Sequence, residues 1–224
     1  HYPLRRQRQM CIRDSFKLCE LFHDYQLTKK YDNVLCLAEA PGGFIEYIME
    51  HDYAKSLYAN TLMKDKTSIP LWNRKILQAY DIHYTNSKKN DGDLTNIENI
   101  QDIQIQLKQK CDLITADGGI DYSGNYNNQE LDSYELLYSE IYTSLLCQKQ
   151  GGCLIIKFFD IFQNKTIQLL HILYRCYKGV SFSKPQTSRP SNSEKYIVCK
   201  GYKLNQDMIA VSYTHLTLPT KRIV

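Results

Sequence analysis

Residues 33–50, NVLCLAEAPGGFIEYIME, decide the fold. The apolar run Val34-Leu35-Cys36-Leu37 is too short for a helix and is stopped by Pro41-Gly42-Gly43, so it reads as a buried strand. FIEYIME then opens a helix. A strand, a glycine turn and a helix in that order mark the start of a parallel α/β unit. In such sheets the turns at the carboxyl ends of the strands are where ligands bind.

Working outward, the same alternation continues in both directions. FKLCELFHDYQL (16–27) has Leu18, Leu21 and Phe22 at helical spacing. Strands are expected at 55–62 and, more weakly, at 76–85, with a polar loop or short helix over 63–75 between them. A turn-rich stretch leads to a helix over 97–108, then a buried strand, CDLITADGG (111–119). A helix over 131–150, a strand GGCLIIKFFD (151–160) and a helix over 166–179 follow, and strands in VSFSKP and EKYIVCKGY close the chain. The expected class is α/β, a Rossmann-like fold with a mostly parallel sheet and an antiparallel closing strand.

The 224 residues suffice for one domain, placed at 16–210. RQRQMCIRDS (6–15) and VSYTHLTLPTKRIV (211–224) resemble translated sequencing-adapter read-through, so 1–15 and 211–224 are expected to be non-native flanks. Arg5, Arg6, Arg8, Arg13, Lys221 and Arg222 lie in those flanks against the single acid Asp14, so the formal net charge of +4 says little about partners. No apolar run approaches the length of a membrane span, and no signal peptide is read. The eight cysteines form no C-x-x-C pair, which suits reduced, buried thiols; no metal site is expected.

The 38–43 turn, AEAPGG, supplies neither G-x-G-x-x-G nor a phosphate-binding G-x-x-x-x-G-K-[ST]. Its glycines let backbone approach a ligand closely, and Glu39 would repel a phosphate but accept from an ammonium or hydroxyl. Those features favour S-adenosylmethionine over a nucleotide. Elsewhere, Lys157 stands inside a buried strand, where a lysine is costly unless paired or functional. A desolvated lysine beside acids is expected to surrender its proton and act as a base towards a hydroxyl.

At this point the sequence resembles the RrmJ/FtsJ family of RNA ribose 2′-O-methyltransferases, most closely its mRNA-cap branch, which includes versions in large DNA viruses. The resemblance runs from about Phe16 to Tyr202 on FKLCELF, LAEAPGGF, DLITADGG, GGCLIIKFFD and KPQTSRPSNSEKYIVC. It implies a catalytic Lys-Asp-Lys-Glu set at Lys17, Asp117, Lys157 and Glu194. In this set Lys157 deprotonates or steers the 2′-hydroxyl, Asp117 and Glu194 orient Lys157, and Lys17 positions the ribose. It further implies S-adenosylmethionine as cofactor, held by Ala38, Glu39, Ala40, Pro41, Gly42, Gly43, Phe44 and Asp117, with Asp93 near the adenine. Two positions depart from the family pattern: Cys36 stands where an acid is common, and no acid closes 55–62.

RNA is the implied partner, in the form of the capped 5′ end of mRNA, with other capping enzymes as further partners and no membrane. Lys184, Ser188, Arg189 and Asn192 are expected to contact it, with Tyr122 and Tyr126 stacking on a base. The implied location is intracellular: cytoplasm, nucleus, viral factory or virion. Two alternatives remain, a ribosomal or transfer RNA substrate on the same catalytic plan, and a non-catalytic RNA-binding subunit of a capping complex.

Overall fold

The computed structural model describes residues 2–63, 71–85, 91–119 and 128–217. Seven strands form one sheet: β1 (Tyr31–Leu37), β2 (Ala54–Ala59), β3 (His83–Tyr84), β4 (Cys111–Ala116), β5 (Gln148–Phe158), β6 (Tyr177–Ser183) and β7 (Lys195–Tyr202). Their order is β3-β2-β1-β4-β5-β7-β6. Strands β1 to β5 run parallel, and β7 inserts antiparallel between β5 and β6. This is the expected α/β class, a mostly parallel sheet closed by antiparallel strands.

Both faces of the central strands are covered, which is why they read as continuous apolar runs rather than alternating ones. Successive side chains still point to opposite sides. Val34, Cys36, Leu113, Ile155 and Val198 pack against α1 (Tyr2–Asp24), α2 (Gly43–Glu50) and α3 (Arg74–Ala79) through Leu18, Phe22, Phe44, Ile48 and Ile76. Leu35, Leu37, Ile114, Ile156 and Ile197 face the other way. They meet α4 (Ile97–Gln106), α5 (Gln129–Cys147) and α6 (Asn164–Cys176) through Ile103, Leu137, Ile141, Leu169 and Leu173. All eight cysteines carry free thiols, and all but Cys19 are buried.

Three local expectations change. The stretch 76–85, expected as a strand, is helical to Ala79, because the Asn73 side chain accepts from the Lys75 N–H and starts α3; only His83 and Tyr84 pair with β2. The expected helix over 166–179 ends at Cys176, where the Tyr177 hydroxyl is held by Gln148 and β6 begins. Residues 148–150, placed at the end of a helix, belong to β5. A seventh helix, α7 (Gln206–Thr217), lies against α5, with the Tyr138 hydroxyl donating to the Ser212 carbonyl at 2.9 Å. Helix α1 likewise begins upstream of Phe16, with Cys11 1% exposed.

Candidate active site

Because β1 to β5 are parallel, their carboxyl ends share one edge of the sheet. The 38–43 turn leaves β1 there, Asp117 follows β4, and Lys157 is the next-to-last residue of β5. The antiparallel strand β7 starts at the same edge, since Lys157 pairs with Tyr196 and Phe158 with Lys195, so Glu194 arrives beside Lys157. Lys17 comes from α1. Helices α1 and α2 touch almost backbone to backbone, for a Cβ on Gly43 would fall 2.5 Å from the Cys11 carbonyl oxygen.

The fold thus brings the four family-implied residues together. Lys157 Nζ lies 3.2 Å from Asp117 Oδ1 and donates to the Asp117 carbonyl at 2.8 Å. Lys17 Nζ lies 2.8 Å from Glu194 Oε1 and 3.1 Å from Asp14 Oδ1. Behind them, the Tyr196 hydroxyl donates to Asp117 Oδ1 at 2.7 Å and the Ser188 hydroxyl donates to Glu194. The side chains of Lys17, Glu194, Lys157 and Asp117 keep only 8 to 12% of their surface exposed, so little water screens them.

That burial sets the protonation states. Burial alone would lower the Lys157 pKa, but Asp117, Glu194 and Asp14 outweigh it and hold the ammonium above the usual lysine value. Lys17 behaves alike: burial opposes its charge, and Asp117, Asp14 and Glu194 restore it. Glu194 is kept below the ordinary carboxylate value because Lys157, Lys17 and two hydrogen bonds overcome the effect of burial. Burial and the neighbouring Asp117 push Asp14 up to about 6. The expectation that nearby acids would strip the proton from Lys157 is therefore corrected: opposite charges at hydrogen-bond distance favour the charged amine.

The glycine turn is built for close approach. Ala38 (φ 50°) and Gly42 (φ 110°) are both left-handed, and a Cβ on Gly42 would meet Ile76 Cδ1 at 2.7 Å. Glu39, 3% exposed, turns back to cap α2, with Oε1 accepting from the Phe44 N–H at 2.7 Å. Its other oxygen, Oε2, is buried without a hydrogen-bond partner among the described residues, and burial together with Asp117 raises the Glu39 pKa well above the ordinary value. Asn60, just beyond β2, likewise keeps a buried Oδ1 with no hydrogen-bond partner among the described residues. Asp93 accepts from the Thr95 N–H and hydroxyl at 3.1 and 2.6 Å, in a segment joined to the chain that follows β2 by Met63 N–H donating to Asp91 O at 2.7 Å.

The loop before Glu194 is organised inward as much as outward. Lys184 Nζ donates to the Asn192 carbonyl, the Asn192 side chain and the Glu194 carbonyl at 2.6, 3.0 and 3.0 Å. Ser188 is buried against Glu194, whereas Arg189 is exposed. Tyr122 and Tyr126 lie outside the described residues. Tyr196 and Glu140 were missed from the sequence, although each left a signal. Tyr196 follows Glu194 by two positions and so shares its side of the extended chain, and Glu140 interrupts the apolar spacing of its helix.

The FtsJ-like methyltransferase profile matches residues 11–202. The chain belongs to this family. A cap-specific mRNA (nucleoside-2′-O-)-methyltransferase of Autographa californica nuclear polyhedrosis virus is 30% identical over 197 residues, 88% of this chain and 72% of that protein. The Danio rerio protein of that name, numbered 1, is 32% identical over 177 residues, covering 75% of this chain but 21% of its own length. An inactive relative, 1B of Caenorhabditis briggsae, is 30% identical over 182 residues. Identity at this level therefore accompanies active and inactive relatives alike, and the geometry of the site matters more. A Plasmodium falciparum chain named as a ribosomal RNA methyltransferase shares the fold, with TM-score 0.60 and 22% identity over 84% of this FtsJ-like chain and 96% of its own.

Proposed function

We propose that this FtsJ-like methyltransferase transfers a methyl group from S-adenosylmethionine to a ribose 2′-oxygen of RNA, at the cap-proximal end of mRNA. The convergence of Lys17, Asp117, Lys157 and Glu194 at one buried edge, next to the Glu39 turn, carries the reading. The names of the viral and animal relatives favour the cap over other RNA.

The residues present fit the cofactor. Glu39 Oε2 and Asn60 Oδ1 are buried acceptors without a hydrogen-bond partner among the described residues, suited to an ammonium or a ribose hydroxyl, and the Ala38–Gly43 turn admits close backbone approach. Asp93 and Phe44 complete the proposed set. Bound S-adenosylmethionine supplies an electrophilic methyl group on a sulfonium.

The chain's part is alignment and charge. Lys157, held charged by Asp117 and Glu194, donates to the 2′-oxygen and stabilises the negative charge that grows there as the hydroxyl proton leaves to water. Lys17, fixed by Glu194, supports the ribose from the α1 side, and Ser188 and Tyr196 keep the two carboxylates in place. Holding hydroxyl and methyl in line removes a large entropic part of the barrier. The loop of Lys184, Ser188, Arg189 and Asn192 is proposed to meet the RNA through Arg189, braced from within by the Lys184–Asn192 and Ser188–Glu194 hydrogen bonds, with Tyr122 as a stacking group. Among the described residues no helix is long and apolar enough to cross a membrane.

The test is methyl transfer from labelled S-adenosylmethionine to a short capped RNA, beside its uncapped counterpart. Label on the 2′-oxygen of the capped RNA alone is expected. Equal labelling of both removes the cap assignment, and labelling of neither sinks the reaction.

A further inference from the structure

Glu140 lies midway along α5, 1% exposed, in a buried stripe with Ser133, Leu137 and Ser144. A carboxyl group there is costly unless it is partnered. Its Oε1 accepts from the Gly118 N–H at 3.0 Å. The peptide unit that carries this N–H also carries the Asp117 carbonyl, which accepts from Lys157 Nζ at 2.8 Å. The Asp117–Gly118 peptide is thus held at both ends, and because a peptide unit is planar, fixing its N–H fixes the aim of its C=O. Gly118 makes the approach possible: a Cβ would fall 2.2 Å from Glu140 Oε1 and 2.9 Å from Leu136 Cδ2. A cavity of ≈ 10 Å³ remains between Glu140, Lys157, Ser133 and Phe159.

We propose that Glu140 is a positioning residue for methyl transfer, acting through the Asp117–Gly118 peptide to aim the Asp117 carbonyl at Lys157 and so fix the ammonium over the ribose hydroxyl. The inference rests on the reading of Lys157 as the group that meets the hydroxyl. The clamp requires an acceptor oxygen at Glu140 rather than a charge. Burial pushes this carboxyl up to about 8, partly offset by Lys157, and both of its protonation states can accept from the Gly118 N–H.

Glu140→Gln and Glu140→Leu separate an acceptor from mere bulk. Leucine is expected to lower kcat on the order of 10²-fold with KM unchanged, since small misplacements near the reacting atoms have that effect. Glutamine recovers most of that loss. Amide exchange at Gly118, followed by NMR without RNA, is expected to stay slow with Gln and to quicken roughly tenfold or more with Leu as the protecting bond is lost. If leucine prevents folding, Glu140→Asp, whose carboxyl falls one methylene short, is expected to show the same loss. Equal kcat in all variants, a loss shared equally by Gln and Leu, or unchanged Gly118 exchange overturns the proposal. Wild-type protein that methylates no RNA would overturn the proposed function instead, while Gly118 exchange still decides the clamp.

Discussion

The two edges of the sheet carry ion pairs of nearly the same length and opposite character. At the amino edge Lys55 meets Asp32 at 2.7 Å and Lys149 meets Asp112 at 2.7 Å, and the Lys55 and Asp32 side chains are 61% and 53% exposed. At the carboxyl edge Lys157 meets Asp117 at 3.2 Å and Lys17 meets Glu194 at 2.8 Å, with 12% exposure at most. Distance does not rank these pairs; burial does. Water screens the first edge, so its charges are interchangeable there, whereas the second edge withholds water and each missing partner leaves an uncompensated charge. The same chemistry is scaffold decoration at one end and a candidate site at the other.

The comparison predicts its largest effect at Lys157. Lys157→Gln keeps a donor of similar reach but removes the charge that would stabilise the 2′-oxygen. Methyl transfer is expected to fall on the order of 10³-fold, the upper range for loss of one donor at a developing oxyanion. Circular dichroism on the same sample checks that the fold is retained. A folded variant that keeps a tenth of the activity would break the distinction between the edges.

How much of this was legible in the sequence differs by kind of residue. The four residues that converge on the site each sit in a local motif, and a motif carries its position with it: Asp117 ends an apolar strand, Lys157 interrupts one, and Glu194 precedes the last. The parallel sheet was legible for the same reason. What the sequence hid was direction and burial. Ser188 was expected to face RNA and instead supports Glu194; the Lys184 amine turns back onto its own loop. The sign of the Lys157 shift depends on three carboxylates from three elements meeting one amine, a sum no single stretch contains. Residues 76–79 were misread because a side-chain cap at Asn73 outweighed weak β spacing.

Glu140 sharpens the comparison through pH. Its pKa is raised from 4.5 to about 8, mainly by burial, so the folded chain holds a proton that the unfolded chain has released. Between about pH 4.5 and 8 the folded state binds more protons, and stability therefore falls as pH rises. Glu140→Gln cannot ionise and removes this slope. Urea unfolding across that range is expected to show the variant gaining on wild type by a few kcal/mol, at roughly 1.4 kcal/mol for each pH step of one. Glu39 and Asp14, also raised, add to the wild-type slope in the same direction and remain in the variant. Parallel curves for the two proteins would mean that Glu140 is ionised in the folded state.

The smallest effect belongs to the amino edge. Lys55→Ala removes the 2.7 Å partner of Asp32, yet Asp32 stays exposed, with Lys149 3.8 Å away. At physiological ionic strength the Debye length is about 8 Å, and most exposed pairs contribute little there. Melting temperature and methyl transfer are both expected to match wild type in that salt, with a small loss of stability appearing only when the salt is diluted. A loss of activity approaching that of Lys157→Gln would show that charge at the far edge reaches the reaction, and burial would no longer explain why one end of the sheet is the site.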